Sequence, residues 1–329
     1  MIYIPKYKDI YSKNDTLGIG TQIQGEYRVT QRGADGRIKY ETDWLPNTML
    51  DNGLQLARYN WGGNWLLEMR LGDSDIPVDI TQTGLQGTYA DKSDNAAGTY
   101  AYANQVPPYE KVTIKRFTFN PGTATGTHKE FVIVMSTLDH TNACIRVVLD
   151  APIIKGASDS LDIEHRLTLY YDLVDKIGVI DISGVDYDYV LRHGLIKHTP
   201  YGHPGSLAPA SGAYWYGCKV GASGIGTIEE AIPGPETGSG NADSNTLTVG
   251  GVLGTYYANA ELIWGVTKAN GDIGAIGFSL AAGGSGYTGA GPTYAKCSLA
   301  KVSDGTPLTK EYTHEFRINF RTYPQRYVP

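Results

Sequence analysis

Two stretches of the chain, "EHRLTLYYDL" (Glu164–Leu173) and "THEFRINFRT" (Thr313–Thr322), lie 149 residues apart and repeat one pattern. In both, alternate residues are apolar: Leu167, Leu169 and Tyr171 match Phe316, Ile318 and Phe320, with mostly polar residues between them. A period of two puts each row of side chains on its own face of a strand, so one face packs and the other is wet. His165 pairs with His314 in the same alignment. Two further anchors follow the same order. "MRLGDSDI" (Met69–Ile76) matches "CKVGASGI" (Cys218–Ile225) at the same shift, and "MLDNGL" (Met49–Leu54) matches "VLRHGL" (Val190–Leu195) at a shift of 141. The chain reads as an internal duplication, anchored at Leu50, Gly53, Leu54 and Gly72 in one copy and at Leu191, Gly194, Leu195 and Gly221 in the other.

Strand-like alternation also marks "GRIKYETDW", "EYRVTQ", "VTIKRFTF", "EFVIVMST", "CIRVVLD", "ELIWGVT" and "IGAIGFSL", separated by the turn signals "ADG", "NPG", "NGD" and "SDG". Short turns without intervening helices favour antiparallel sheets over βαβ units. The 24 Tyr against 6 Phe and the 41 Gly fit half-exposed strands, because tyrosine buries its ring and keeps its hydroxyl wet. The expected fold is all-β: two tandem, similar antiparallel β-sandwich domains at 26–172 and 173–329, each with a short helix. Residues 1–25 precede the repeat as an extended N-terminal arm, either a disordered terminus or a segment that orders against a neighbouring subunit, with Tyr3, Ile4, Tyr7 and Tyr11 as the candidate assembly residues. The loops "GSGNADSN" and Ala281–Pro292 are expected to be exposed.

The stretch "WLPNTMLDNGLQLARYN" breaks the strand rhythm. As a helix it places Leu50, Leu54, Ala57 and Trp61 on one face, with Thr48 and Asp51 in a capping arrangement. Gly53 inside it costs about 1 kcal/mol relative to alanine, which predicts either a close approach of the helix to a strand or an early helix end. The helix is expected to plug one end of each sandwich.

Several chemistries are disfavoured. A net charge of −6 provides no cationic field for nucleic acid. Cys144, Cys218 and Cys297 lack CxxC spacing and read as buried free thiols. The first residues carry no secretory leader, no stretch reaches the apolar length of a membrane span, and synthesis in the cytoplasm without membrane insertion is expected. Asp73, Asp75 and Asp79 resemble a calcium loop, but Pro77 takes a ligand slot and the second copy lacks the acids, so turn geometry is the better reading. Asp181, Asp186 and Asp188 read as solvated turn acids rather than a glycosidase pair. His193, His198 and His203 recur every five residues, which suits no zinc site, and are expected in surface loops and helix ends. "GASGIG" lacks the βαβ context of a nucleotide loop. No nucleophile elbow, metalloprotease or phosphate-loop signature is present, so no enzyme and no cofactor are expected.

The order of a strand, the turn "DWLPNT", a short helix holding "DNGL", a strand ending in "LGDS" and the closing "HEFRINFRTYP" resembles structural proteins of tailed-bacteriophage virions, of the tail-fibre, appendage, collar or capsid-fibre type. The residues that carry it are Trp44, Asn47, Asn52, Gly53 and Gly72; the second copy departs from it, with Val185 for Trp44 and Asp188 for Asn47. The resemblance implies a non-enzymatic virion part that assembles with itself, as a trimer or ring, and with other virion proteins. The alternative is a carbohydrate-binding or glycan-cleaving module for a host surface glycan, using the Tyr- and Trp-rich second repeat.

Overall fold

The computed structural model describes residues 8–57, 66–93, 97–103, 110–134, 142–171, 174–193, 219–222, 224–226, 244–250, 257–279 and 293–327. It is all-β, with one short helix, Asp51–Ala57, among the described residues. The chain divides into two compact units. A leading unit comprises Thr21–Tyr171, Gly251–Tyr256 and Pro324–Pro329; a trailing unit comprises Met1–Gly20, Asp172–Gly250 and Tyr257–Tyr323.

This partition differs from a simple tandem at both ends. Residues 8–25 do not form a separate arm, because they belong to one continuous strand, Lys8–Arg32. Its apolar residues at odd positions, Leu17, Ile19, Ile23, Tyr27 and Val29, are all buried. That period of two is what makes the segment a strand. Tyr11 lies in this strand, whereas Tyr3, Ile4 and Tyr7 fall outside the described residues. The strand begins in the trailing unit and ends in the leading one, and His314–Arg326 crosses in the same sense.

In the leading unit one sheet runs from Thr21–Arg32 through Ser160–Tyr171 and Glu110–Phe119 to Ala97–Ala103. A second, five-stranded sheet has the order Thr48–Met49, Ala143–Lys155, Gly126–Val134, Glu68–Gly72, Tyr89–Lys92. The two sheets meet where Tyr27 packs edge-on against Phe131, ring centres 5.1 Å apart. In the trailing unit Ser244–Gly250, Tyr257–Trp264 and His314–Arg326 lie side by side, followed by Lys8–Arg32. Its five-stranded sheet has the order Lys176–Ile182, Val185–His193, Thr293–Lys301, Ala275–Ser279, Lys219–Gly221. Phe278 of that sheet stacks on Phe320 of the other at 4.0 Å. A ribbon of Gly271–Ile273 and Leu308–Lys310 completes the unit.

The two five-stranded sheets share the order of four strands, and the fifth, Tyr89–Lys92 in one and Lys176–Ile182 in the other, lies at opposite edges. Glu68–Gly72 and Lys219–Gly221 end their strands at Gly72 and Gly221, and each pairs with the first strand of a hairpin. Both hairpins carry a bulge at the same place, between Ala143 and Ile145 and between Thr293 and Ala295. The first anchor does not keep its register. Met49 lies opposite Ile145, and the residue opposite the matching Ala295 is His193, not Val190. Accordingly Leu191 is a buried strand residue, while Gly194 and Leu195 fall outside the described residues. The strand Val185–His193 continues where the leading unit has already turned into its helix.

The helix Asp51–Ala57 buries Leu50 and Leu54 beside the strand Ala143–Lys155. A Cβ on Gly53 would stand 2.2 Å from the Cys144 carbonyl oxygen and 2.6 Å from Met49 Sδ, so only glycine fits. The Ala57 side chain and Trp61 fall outside the described residues. Asp51 accepts a hydrogen bond from Arg326, whose Nε donates to the Met49 carbonyl at 2.9 Å. Cys144 and Cys297 are buried free thiols, and burial pushes both pKa values up; Cys218 falls outside the described residues.

Candidate functional site

The outward face of the leading unit's first sheet carries a ladder of charges set by strand register. Glu26 lies opposite Arg166, and Arg28 opposite Glu164, which in turn lies opposite Arg116. Like the inward row, this outward row follows the period of two. Glu164 accepts hydrogen bonds from Arg28 and from Arg116, whose Nη2 stands 2.8 Å away. Burial alone would raise the Glu164 carboxyl, but the bonds from Arg116 and Arg28 outweigh it and hold the pKa below the ordinary value. Arg166 Nη2 lies 2.6 Å from Glu26.

Trp44 lies over this ladder. After Ile38–Glu41 pairs with the end of the long strand, the Thr42 amide donates to the Val29 carbonyl and the Thr42 hydroxyl accepts from the Val29 amide, so Trp44 is held in place. Its ring centre is 5.0 Å from the Arg28 guanidinium carbon and 4.5 Å from that of Arg166, both cation–π contacts. The ring lines an open cleft of about 400 Å³ together with Arg28, Glu41, Thr42 and Asp43. Such a cleft offers an aromatic platform edged by carboxylates, a hydroxyl and a guanidinium, the groups that orient a polar, uncharged ligand. Ile38 and Tyr40 do not form a buried row, because Ile38–Glu41 pairs only with the end of the long strand, Thr30–Arg32, and all four residues are exposed.

A second surface feature is the hairpin Lys176–Ile182 with Val185–His193 in the trailing unit. The first of these strands is the last in its sheet, and Ile177 and Val179 on its outward face are 75% and 54% exposed. Asp181, Asp186 and Asp188 are exposed on the same hairpin, and Asp181 accepts the Gly184 amide at 3.1 Å, a turn role. At the opposite end Arg192 makes a bidentate pair with Asp175 at 2.6 and 2.7 Å, which lowers the Asp175 pKa.

Other singled-out residues hold structure. Asp73 accepts the Thr88 amide, Asp75 pairs with Lys129, and Asp79 accepts both the amide and hydroxyl of Thr81, so these acids shape the loop. Among the described residues no cluster of three or more His, Cys, Asp or Glu is placed to hold a metal ion. His193, expected at the surface, is buried, because the strand runs up to it and turns the ring inward; its Nε2 lies 3.0 Å from the Gly20 carbonyl oxygen. His198 and His203 fall outside the described residues.

The sequence reading missed a device present in both units. Lys155 and Lys310, both buried, reach into the turns that follow Glu110–Phe119 and Tyr257–Trp264. Lys155 Nζ donates to the carbonyls of Asn120 and Thr123 at 2.9 and 2.8 Å; Lys310 Nζ donates to the Gly265 carbonyl at 2.9 Å and to Asn270 Oδ1 at 2.8 Å. Each turn contains a buried alanine at positive φ, Ala124 at 46° and Ala269 at 52°. The signal was available only as a lone lysine after a strand, with no apolar pattern to mark it.

No family model, no curated protein and no solved structure matches the chain. Among the described residues no helix is long and apolar enough to cross a membrane.

Proposed function

We propose that the chain is a non-enzymatic structural protein of the tailed-bacteriophage virion type, made in the host cytoplasm and built into an appendage, fibre, collar or ring through contacts between subunits. We infer that each unit is an antiparallel β-sandwich, with Tyr27–Phe131 and Phe278–Phe320 as contacts between its two sheets. The observation that carries the assembly reading is the terminal strand Lys176–Ile182 with two exposed β-branched residues. Sheet edges of this kind are normally blunted by charge, proline or a covering segment, and an apolar one favours a partner. Two similar units in one chain let a trimer present six comparable surfaces to a sixfold particle. Sedimentation of the purified full chain tests the reading: discrete oligomers are expected, and a monomer at every concentration, alone and with particle extracts, overturns it.

The Trp44 cleft favours a second reading, in which the same virion part also binds a host surface glycan. This reading puts the glycan at the cleft in the leading unit; the aromatic stretch 213–218 and the loop 281–292 of the second repeat fall outside the described residues. A glycan array probed with the full chain and with Trp44→Ala separates this reading from assembly alone. Signals lost in Trp44→Ala support it, and signals retained or absent in both proteins reject it.

A further inference from the structure

We infer that the strand Lys176–Ile182 pairs antiparallel with the same strand of a second copy across a two-fold axis at Gly178, joining two five-stranded sheets into one of ten. The inference rests on the assembly reading above and names its partner. Ser183 and Gly184, both at positive φ (57° and 81°), make the two-residue turn of this hairpin. Residues flanking such a turn exchange both hydrogen bonds, so Ile182, Ile180, Gly178 and Lys176 bond inward to Val185–His193. The alternate residues Ile177 and Val179 therefore aim their amides and carbonyls at the outer edge. Among the described residues no strand lies on that edge.

Three features select a second copy of this strand. With the axis at Gly178, Ile177 of each copy faces Val179 of the other, which merges both exposed apolar pairs on one face and allows four backbone hydrogen bonds. The axis itself falls at a pair without hydrogen bonds, where Cα atoms approach to about 4.5 Å. Glycine suits that point: on the inner face Tyr189 already covers Gly178, and a Cβ there would stand 2.9 Å from its ring. Charge agrees with the antiparallel sense. Lys176, beside the mutually neutralised Arg192–Asp175 pair, gives one end of the hairpin a net positive charge, and Asp181 and Asp186 make the other negative, so each cationic end is set beside an anionic one. A two-fold contact combined with a ring gives a closed two-layered assembly.

Sedimentation of the full chain, with hydrogen exchange read by mass spectrometry at dilute and assembling concentrations, tests this. Amides of Ile177 and Val179 are expected to exchange at least about tenfold more slowly when assembled. The double substitution Ile177→Lys with Val179→Lys is expected to halve the assembled mass, whereas Tyr312→Lys, at a residue equally exposed (75%), leaves it unchanged. Oligomers whose 176–182 amides exchange at the dilute rate, or that persist in the double variant, overturn the edge pairing and leave the assembly reading standing. A wild-type chain that stays monomeric overturns both. Exchange on the wild-type chain decides the matter if the variant does not fold.

Discussion

The two units share the order of four sheet strands and a hairpin bulge, yet their interiors differ in chemistry. In the leading unit Arg146 is fully buried and bonds to Glu130 at 2.8 Å, while Glu130 also accepts the amides of Gln86 and Gly87 at 3.1 and 2.7 Å. The register that makes Arg146 equivalent to Lys296 makes Glu130 equivalent to Ala275. The trailing unit keeps the buried cation and lacks the carboxylate at that position. Gly72 permits the difference, because a Cβ there would come within 2.7 Å of Glu130 Oε1. Glu68 with Arg70, Lys115 and His165 add further buried polar groups to the leading unit. The backbone frame is shared and the polar filling differs, with Glu130 tying down the loop at Gln86 and Gly87 where the trailing unit has Ala275.

The largest expected effect breaks that ion pair. Glu130→Ala leaves Arg146 buried and uncompensated and should cost the leading unit about 3–5 kcal/mol. Hydrogen exchange resolved by unit should show the loss in residues 66–93 and 126–155 and spare the trailing sheet. Glycine 53 comes next. Replacing it with valine drives a side chain into the Cys144 carbonyl and should cost roughly 3 kcal/mol or more, seen as a lower urea midpoint. An unchanged midpoint would remove the close-packing account of the helix.

Acid should separate the units as well. His165 is fully buried, neither ring nitrogen has a hydrogen-bond partner among the described residues, and burial, reinforced by Lys115, pushes its pKa down to about 3. The unfolded chain, with the ordinary value near 6.5, then binds the proton that the folded chain refuses. Stability contributed by neutral His165 is complete above 6.5 and falls as pH drops from 6.5 toward 3, by up to a few kcal/mol. His165→Leu should flatten that limb in a pH series of thermal melts. Lys115 works at the other end: burial lowers it to about 8, so stability rises as pH climbs from 8 to the unfolded value of 10.5.

Lys155→Met and Lys310→Met test what the units share. Each strands turn carbonyls and should cost about 1–3 kcal/mol, with similar values in the two units. A large asymmetry would show that the two turns are alike only in outline. At the bottom of the scale, Lys129→Ala removes an exposed partner of Asp75 and should leave the melting temperature unchanged within error.

Much of the frame was legible in the sequence because it is written in local rules. The alternation in "EHRLTLYYDL" and "THEFRINFRT" corresponds to Ser160–Tyr171 and His314–Arg326, and the glycines of "ADG", "NPG", "NGD" and "SDG" all sit at positive φ. What escaped depends on partners far along the chain. The register of Met49 is fixed by Ile145, and nothing local to "MLDNGL" reports it. The long first strand looked like an arm because its opening residues are polar and its apolar period emerges only at Leu17. Trp44 was visible as part of a turn, but its place over Arg28 and Arg166 requires three strands in register.

The exchange of ends between the units bears on how the chain comes to be folded at all. Residues up to Gly20 are made before the bulk of the leading unit but belong to the trailing one, and Arg326 and Tyr327 are made after the bulk of the trailing unit but fasten to Asp51 and Ile23 of the leading one. Each unit is complete only once segments far apart along the chain have both been made. The leading unit must wait, open at its helix, until Arg326 has been made, 275 residues after Asp51, an arrangement that trades early independence for late closure.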